Sequence, residues 1–178
     1  MKKLLAILMS AAIALSIAAC GAEKPIGGDP ADKSNVEILS PFADCETLEE
    51  AQEKAGFDMT LPETIDGYDS RKISVIEDEL ISVIFINGED GQICFRKGIG
   101  EQDVSGNFTE CAESEQVDMS GTTVTLKGGD GKVNLAVWTK DGYAYSISST
   151  DGLNKVTMTD LFMTMNDDLV IGGNSATW

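Results

Sequence analysis

The chain has 178 residues, with 30 acidic against 13 basic and a net charge of −17 at pH 7, so its surface repels nucleic acid and anionic lipid headgroups. It contains no histidine, which removes the commonest general base near neutral pH, the serine and cysteine triads built on that base, and most zinc sites. Carboxylate, lysine or tyrosine chemistry stays open.

The first 19 residues pair Lys2 and Lys3 with an apolar run from Leu4 to Ala19. That is the layout of a secretory signal: a basic start, a short apolar core and small residues at the cut. The run falls short of the roughly 20 apolar residues of a membrane-spanning helix. Ile17-Ala18-Ala19-Cys20-Gly21 resembles a bacterial lipobox, in which cleavage falls before the cysteine and acyl chains are added to it. We expect Cys20 to be the lipidation site and the membrane to be a partner through that lipid, since each buried CH₂ is worth about 0.8 kcal/mol. Residues 20–40, rich in Gly, Pro, Asp and Lys, read as a flexible linker. One domain over residues 41–169 and a loose tail over residues 170–178 complete the expected organisation.

The first helix is expected in "ETLEEAQEKAGF". Thr47 and Glu50 are spaced as a capping box, Leu48, Ala51 and Ala55 share a face, and Gly56 is the stop. Strands follow at "RKISVIEDE" and "LISVIFING", the second apolar on both pleat faces except at Ser82 and therefore internal to the sheet. "QICFRKG" is a third, "KGIGEQDVSGNFTE" a loop. "ESEQVDMS", "TTVTLKG", "KVNLAVW" and "YAYSISS" are four more, divided by short Asp-Gly-type turns that imply antiparallel neighbours. "VTMTDLFMTMNDD" reads as a closing helix with Met158, Leu161, Phe162 and Met165 on one stripe. The expected fold class is α+β: an antiparallel meander sheet of about five to seven strands with an N-terminal and a C-terminal helix packed on it.

Beyond Cys20 there are three cysteines, Cys45, Cys94 and Cys111. Three small half-buried thiols are one reading and a Cys94–Cys111 bridge is the other, and connectivity is not fixed by sequence. None has metal-ligand spacing, so no metal and no cofactor is expected. The loop with Gly98, Gly100 and Gly106 lacks the Gly-Lys-Ser/Thr of a phosphate loop; a mobile ligand loop is one reading and a turn-rich connection the plainer one. The acidic turns lack the alternating pattern of a calcium loop, and Asp-Gly is an ordinary hairpin turn.

The stretches "PFADCETLEEAQEKAGF", "LPETIDGY", "RKGIGEQDVSG" and "GKVNLAVWTKDGYAYSISSTDGL", followed by an amphipathic helix, resemble a family of secreted bacterial domains, domain of unknown function 4367. Its members occur in lipoproteins and membrane-anchored proteins of Gram-positive lineages, sometimes beside anti-sigma-type regions. The similarity spans roughly residues 41–166, and its most specific part is the Trp138–Ser148 hairpin. The resemblance implies an extracytoplasmic α+β domain. It implies no activity and no catalytic residues.

Alternation also predicts which residues face the core. Val124 and Leu126, then Val133, Leu135 and Val137, then Tyr143, Tyr145 and Ile147, form three apolar sets. A two-residue Asp130-Gly131 turn sets Leu126 opposite Leu135. A three-residue Lys140-Asp141-Gly142 loop would set Val137 opposite Tyr145. Ala136, Trp138, Ala144 and Ser146 then fall on the opposite face, where Trp138, Ala136 and Ala144 form a candidate binding face that either a helix or a ligand could cover. The functional expectation is a non-catalytic binding or sensing module of the cell envelope, with a protein or small-molecule ligand and no nucleic acid. Its rivals are a carboxylate-dependent envelope hydrolase and a passive structural lipoprotein.

Overall fold

The structure, a computed structural model, describes residues 40–88 and 91–166. The signal segment, Cys20, the linker up to residue 39 and the tail at 170–178 lie outside the described residues. The fold is α+β. Eight strands, rather than five to seven, form one antiparallel sheet: β1 (Ala43–Cys45), β2 (Ser70–Ile76), β3 (Leu80–Asn87), β4 (Gly91–Ile99), β5 (Glu113–Met119), β6 (Thr122–Gly129), β7 (Lys132–Lys140) and β8 (Tyr143–Leu153). The uncounted strand is β1. Its three residues pair with Val75, Ser74 and Ile73 at the sheet edge, and it is too short to show any alternation.

The sheet order is β1-β2-β3-β4-β8-β7-β6-β5. This is not one continuous meander. Two four-strand meanders, β1–β4 and β5–β8, join through the antiparallel pairing of β4 with β8, in which Phe95 faces Ile147 and Arg96 faces Ser146.

Helix α1 (Leu48–Ala55) starts at Thr47, whose hydroxyl accepts the Glu50 N–H at 3.1 Å. Glu50 departs from the capping-box pattern. One carboxylate oxygen accepts from the Glu46 N–H, one residue before the cap, and the other meets the Lys54 ammonium at 2.8 Å. The Lys54 hydrogen bond, then that from Glu46, holds the Glu50 carboxyl below its ordinary range. Gly56 ends the helix in the left-handed conformation that glycine favours, with its N–H on the Gln52 carbonyl at 2.9 Å. Helix α2 (Lys155–Met165) is capped by Asn154, whose side chain accepts from the Thr157 N–H at 2.9 Å.

One face of the sheet carries the main core. Ile73, Val75, Ile81, Val83, Phe85, Ile93, Phe95, Ile147, Val124 and Leu126 pack there with Ala51 and Ala55 of α1 and Met158, Phe162 and Met165 of α2. Trp138 belongs to this core: its ring stacks on Tyr145 at 5.2 Å and meets the Phe162 edge at 4.9 Å.

That placement overturns the expected register. The Asp141-Gly142 turn has two residues, both left-handed (φ 52° and 81°), as a type I′ hairpin turn requires. It pairs Lys140 with Tyr143, and hence Val137 with Ser146 and Trp138 with Tyr145. The irregularities lie away from this turn: the pairing of β6 with β7 shifts between Lys127 and Gly128, and that of β7 with β8 between Val133 and Leu135. Gly128 faces Val133, Lys127 faces Leu135, and Leu126 faces Ala136 rather than Leu135. One extra residue reverses the side of every residue beyond it. Ala136 and Trp138 therefore turn to the helices, while Leu135, Val137, Ala144 and Ser146 turn to the other face. Trp138 and Ala136 lie on one face and Ala144 on the other, so the three do not share a face; Trp138 and Ala144 still both line one opening of about 290 Å³.

The bulge depends on glycine: a Cβ on Gly128 would lie 2.1 Å from the Lys132 carbonyl oxygen. Gly128→Ala is expected to cost on the order of 1–3 kcal/mol, the range of overpacking, read as a lower urea midpoint. Phe162→Ala, which empties the space against Trp138, is expected to cost about 3–5 kcal/mol by the same measurement.

Candidate functional site

The sheet's second face mixes polar and apolar side chains along its rows. Ser82, Arg96, Ser146, Val137 and Thr125 run side by side across five strands, and beside them run Ile84, Cys94, Ser148 and Leu135. Among the described residues no helix covers this face. Its cover is the connection from β4 to β5, residues 100–112. β4 ends at Ile99, beside Tyr143 at one end of the sheet. β5 begins at Glu113, at the far edge and the opposite end, beside Gly128. Four strand spacings (~19 Å) and the length of a strand (~23 Å) separate these points. The connection must therefore run diagonally across the face, and we call it the strap.

Arg96 holds the strap down. Its Nη1 donates to the Val104 and Ser105 carbonyls at 3.1 and 2.8 Å, and its Nε donates to the Ser82 hydroxyl at 3.3 Å. The Phe42 ring lies 5.5 Å from the guanidinium carbon, within cation–π range. Gly106 (φ 62°) packs directly on this group, and a Cβ there would stand 2.4 Å from Nη1. Further contacts shape the strap: Gly100 N–H bonds the Gly142 carbonyl at 2.8 Å, Asp103 accepts from Ser105 N–H at 2.8 Å, and Val104 packs on Gly98. Leu135 and Ser146 are buried on this side. The stretch expected to be a plain connection is thus an ordered cover with a charged anchor.

The strap leaves two openings. The larger, about 590 Å³, lies between strap residues 105–109 and strands β3, β4 and β8. Arg96, Gln92, Cys94, Ile84 and Ser148 line it from the sheet, and Phe108 lines it from the strap. Phe108 is 96% exposed, so its ring is held by almost nothing. Among the described residues no carboxylate lines this groove. The second opening, about 290 Å³, lies beside Glu101, Asp103, Gln116, Thr123, Thr125 and Thr139. Its two carboxylates come from one loop, two residues apart, and Asp103 is already engaged with Ser105 N–H. That is not the pair of opposed acids that glycan hydrolysis needs.

The sequence-selected cysteines fall apart in space and chemistry. Cys45, Cys94 and Cys111 are free thiols, and no Cys94–Cys111 bridge forms. Cys94 lies 3.7 Å from the Ser82 hydroxyl in the groove, and Cys111 contacts the Thr109 carbonyl at 3.9 Å. Cys45 sits on β1 with the Lys54 ammonium 3.8 Å away. Among the described residues no group of His, Cys, Asp or Glu is arranged to hold a metal, and no helix is long and apolar enough to cross a membrane. Arg96 and Phe108 carry no motif, and sequence reading missed them. The only local signal was a lone arginine in an apolar strand two residues from Cys94.

A family model, the domain of unknown function DUF4367, matches residues 59–165. The chain belongs to this family. The matched DUF4367 segment runs from just after α1 to the last residue of α2, so β1 and α1 precede it, whereas Arg96, the strap and both openings lie inside it. The comparisons with curated proteins and with solved structures each return no match.

Gly106→Ala is expected to loosen the strap, because the left-handed backbone costs about 1–2 kcal/mol and the methyl displaces Nη1. Hydrogen exchange should show amides 103–109 exchanging about tenfold faster while β3 and β8 hold their protection. All three thiols should alkylate in unreduced, denatured Cys20→Ala protein, adding three carbamidomethyl groups to the intact mass.

Proposed function

We propose that this DUF4367 protein is a lipid-anchored, extracytoplasmic binding or sensing module of the cell envelope, and that it works by recognition rather than catalysis. The anchor and address are supported by the signal-like start and the lipobox-like Ile17–Gly21 stretch ahead of an acidic domain. On this reading both helices serve as cover for the sheet's apolar face, leaving the strap side to a ligand.

The observation that carries the recognition reading is the groove beside the strap. It combines hydrogen-bonding side chains from rigid strands (Arg96, Gln92, Ser148) with an exposed aromatic, Phe108, on the strap above them. A ligand pocket is commonly a concave, partly apolar space with a few placed polar groups. Residues on strands are held more firmly than residues on loops, so the polar partners are preset and the ring closes on them.

Two measurements test this. Wild-type protein made with its signal should partition into the detergent phase and Cys20→Ala should not; wild type in the aqueous phase refutes the anchor. Adding the low-molecular-weight fraction of native envelope extract should raise the melting temperature of the wild type by several degrees and that of Phe108→Ala by much less. No rise with any fraction, or an equal rise in both proteins, refutes the groove.

A further inference from the structure

Resting on the groove reading above, we propose that the ligand is a small carboxylate with an adjoining apolar group, its carboxylate held by Arg96 and its apolar part between Ile84 and Phe108.

The first ground is the state of Arg96. Its side chain is half-buried beneath the strap, yet its hydrogen-bond partners are a hydroxyl and two backbone carbonyls, all neutral. Among the described residues no carboxylate comes within ion-pair distance of it, in a chain with 30 acidic side chains. A charge withdrawn from water is costly when it lacks an opposite charge. Carboxylates are abundant on this molecule, and among the described residues none is placed here. The guanidinium carries five donors. The Nε hydrogen and the two on Nη1 match the three bonds observed, which leaves the Nη2 pair for an incoming acceptor.

The second ground is the neighbourhood. Besides Arg96 the groove is lined by neutral polar groups, among them Gln92, Ser148 and Asn107, and by the apolar Ile84 and Phe108. Arginine recognises carboxylate through short, charge-assisted hydrogen bonds of roughly twice ordinary strength. Phe108, 96% exposed, offers a face for an apolar group a few atoms from that carboxylate. Net negative charge on the whole protein discourages polyanions. It tolerates a monoanion that reaches one shielded cation, which favours a small ligand over an acidic polymer.

Such a carboxylate could come from a free acid or from the C-terminus of a peptide, and the two are separable. The probes are N-acetyl-phenylalanine, N-acetyl-phenylalaninamide and a neutral pentapeptide ending in phenylalanine with a free carboxylate. Binding to the Cys20→Ala protein would be followed by chemical-shift titration of the Arg96, Ser105 and Phe108 amides. The acid is expected to bind at least tenfold more tightly than the amide, with affinity falling as salt rises. Tighter binding of the pentapeptide assigns the peptide terminus, and equal or weaker binding assigns the free acid. Phe108→Ala should weaken acid binding severalfold without moving the urea midpoint, since that ring packs on almost nothing. Arg96→Lys, which keeps charge but loses the planar fork, should remove most of the preference for acid over amide. Equal binding of acid and amide, or acid binding unaffected by Phe108→Ala, overturns the proposal. If the envelope fraction still stabilises the wild type over Phe108→Ala while the acid shows no preference, the groove stands and the carboxylate class falls.

Discussion

The antiparallel pairing of β4 with β8 is the constraint on which the rest of this structure depends. It joins two four-strand meanders at their inner strands and sends β5 to the far edge. The chain must then travel from the inner end of one meander to the outer strand of the other. A tight turn cannot span that distance, and the connection is forced across the sheet as a strap. The cover of the second face, the burial of Leu135 and Ser146 and the two openings beside the strap all follow from that one strand pairing.

The two faces are held by different physics. Against the helices, aliphatic and aromatic side chains interlock: Phe95 against Phe85, Trp138 against Tyr145 and Phe162. That side is stabilised mainly by apolar area withdrawn from water, about 25 cal/mol per Å². Beneath the strap the sheet offers serines, threonines and one arginine. The attachment there is directional, through hydrogen bonds to a charged group worth about 1.5–3 kcal/mol each, with Val104 against Gly98 as a small apolar contact. A cover fastened at a few polar points leaves margins unfilled. The strap side keeps a groove with the Arg96 guanidinium at its base.

Sequence and structure agree where interactions are local. Thr47 caps α1 through a short contact and Gly56 stops it by backbone geometry, both within a few residues, as their spacing implied. Ser120-Gly121, Asp130-Gly131 and Asp141-Gly142 each place two left-handed residues in a row; the Asp-Gly pairs marked where the chain turns, but Asp141-Gly142 was expected within a three-residue loop and forms a two-residue turn. The failures have one cause. With both faces of β7 covered, Leu135 and Val137 were as suitable for burial as Ala136 and Trp138, and alternation could not choose between them. A bulge at Gly128 made the choice. In the sequence that glycine belongs to "KGGDGK", where a turn already accounts for the glycines.

What the sequence by itself determined is every element but β1, the places where the second meander turns, the α+β class and the family, because each is written in side chains within a few positions of one another or in a motif such as the Trp138–Ser148 hairpin. Only the tertiary structure decided that β4 meets β8, that Trp138 turns to the helices, that no Cys94–Cys111 bridge forms and that Arg96 anchors a strap beside a groove. Those outcomes depend on which distant strands share hydrogen bonds and on a single inserted residue of register. Neither leaves a local trace when both faces of a strand end up covered.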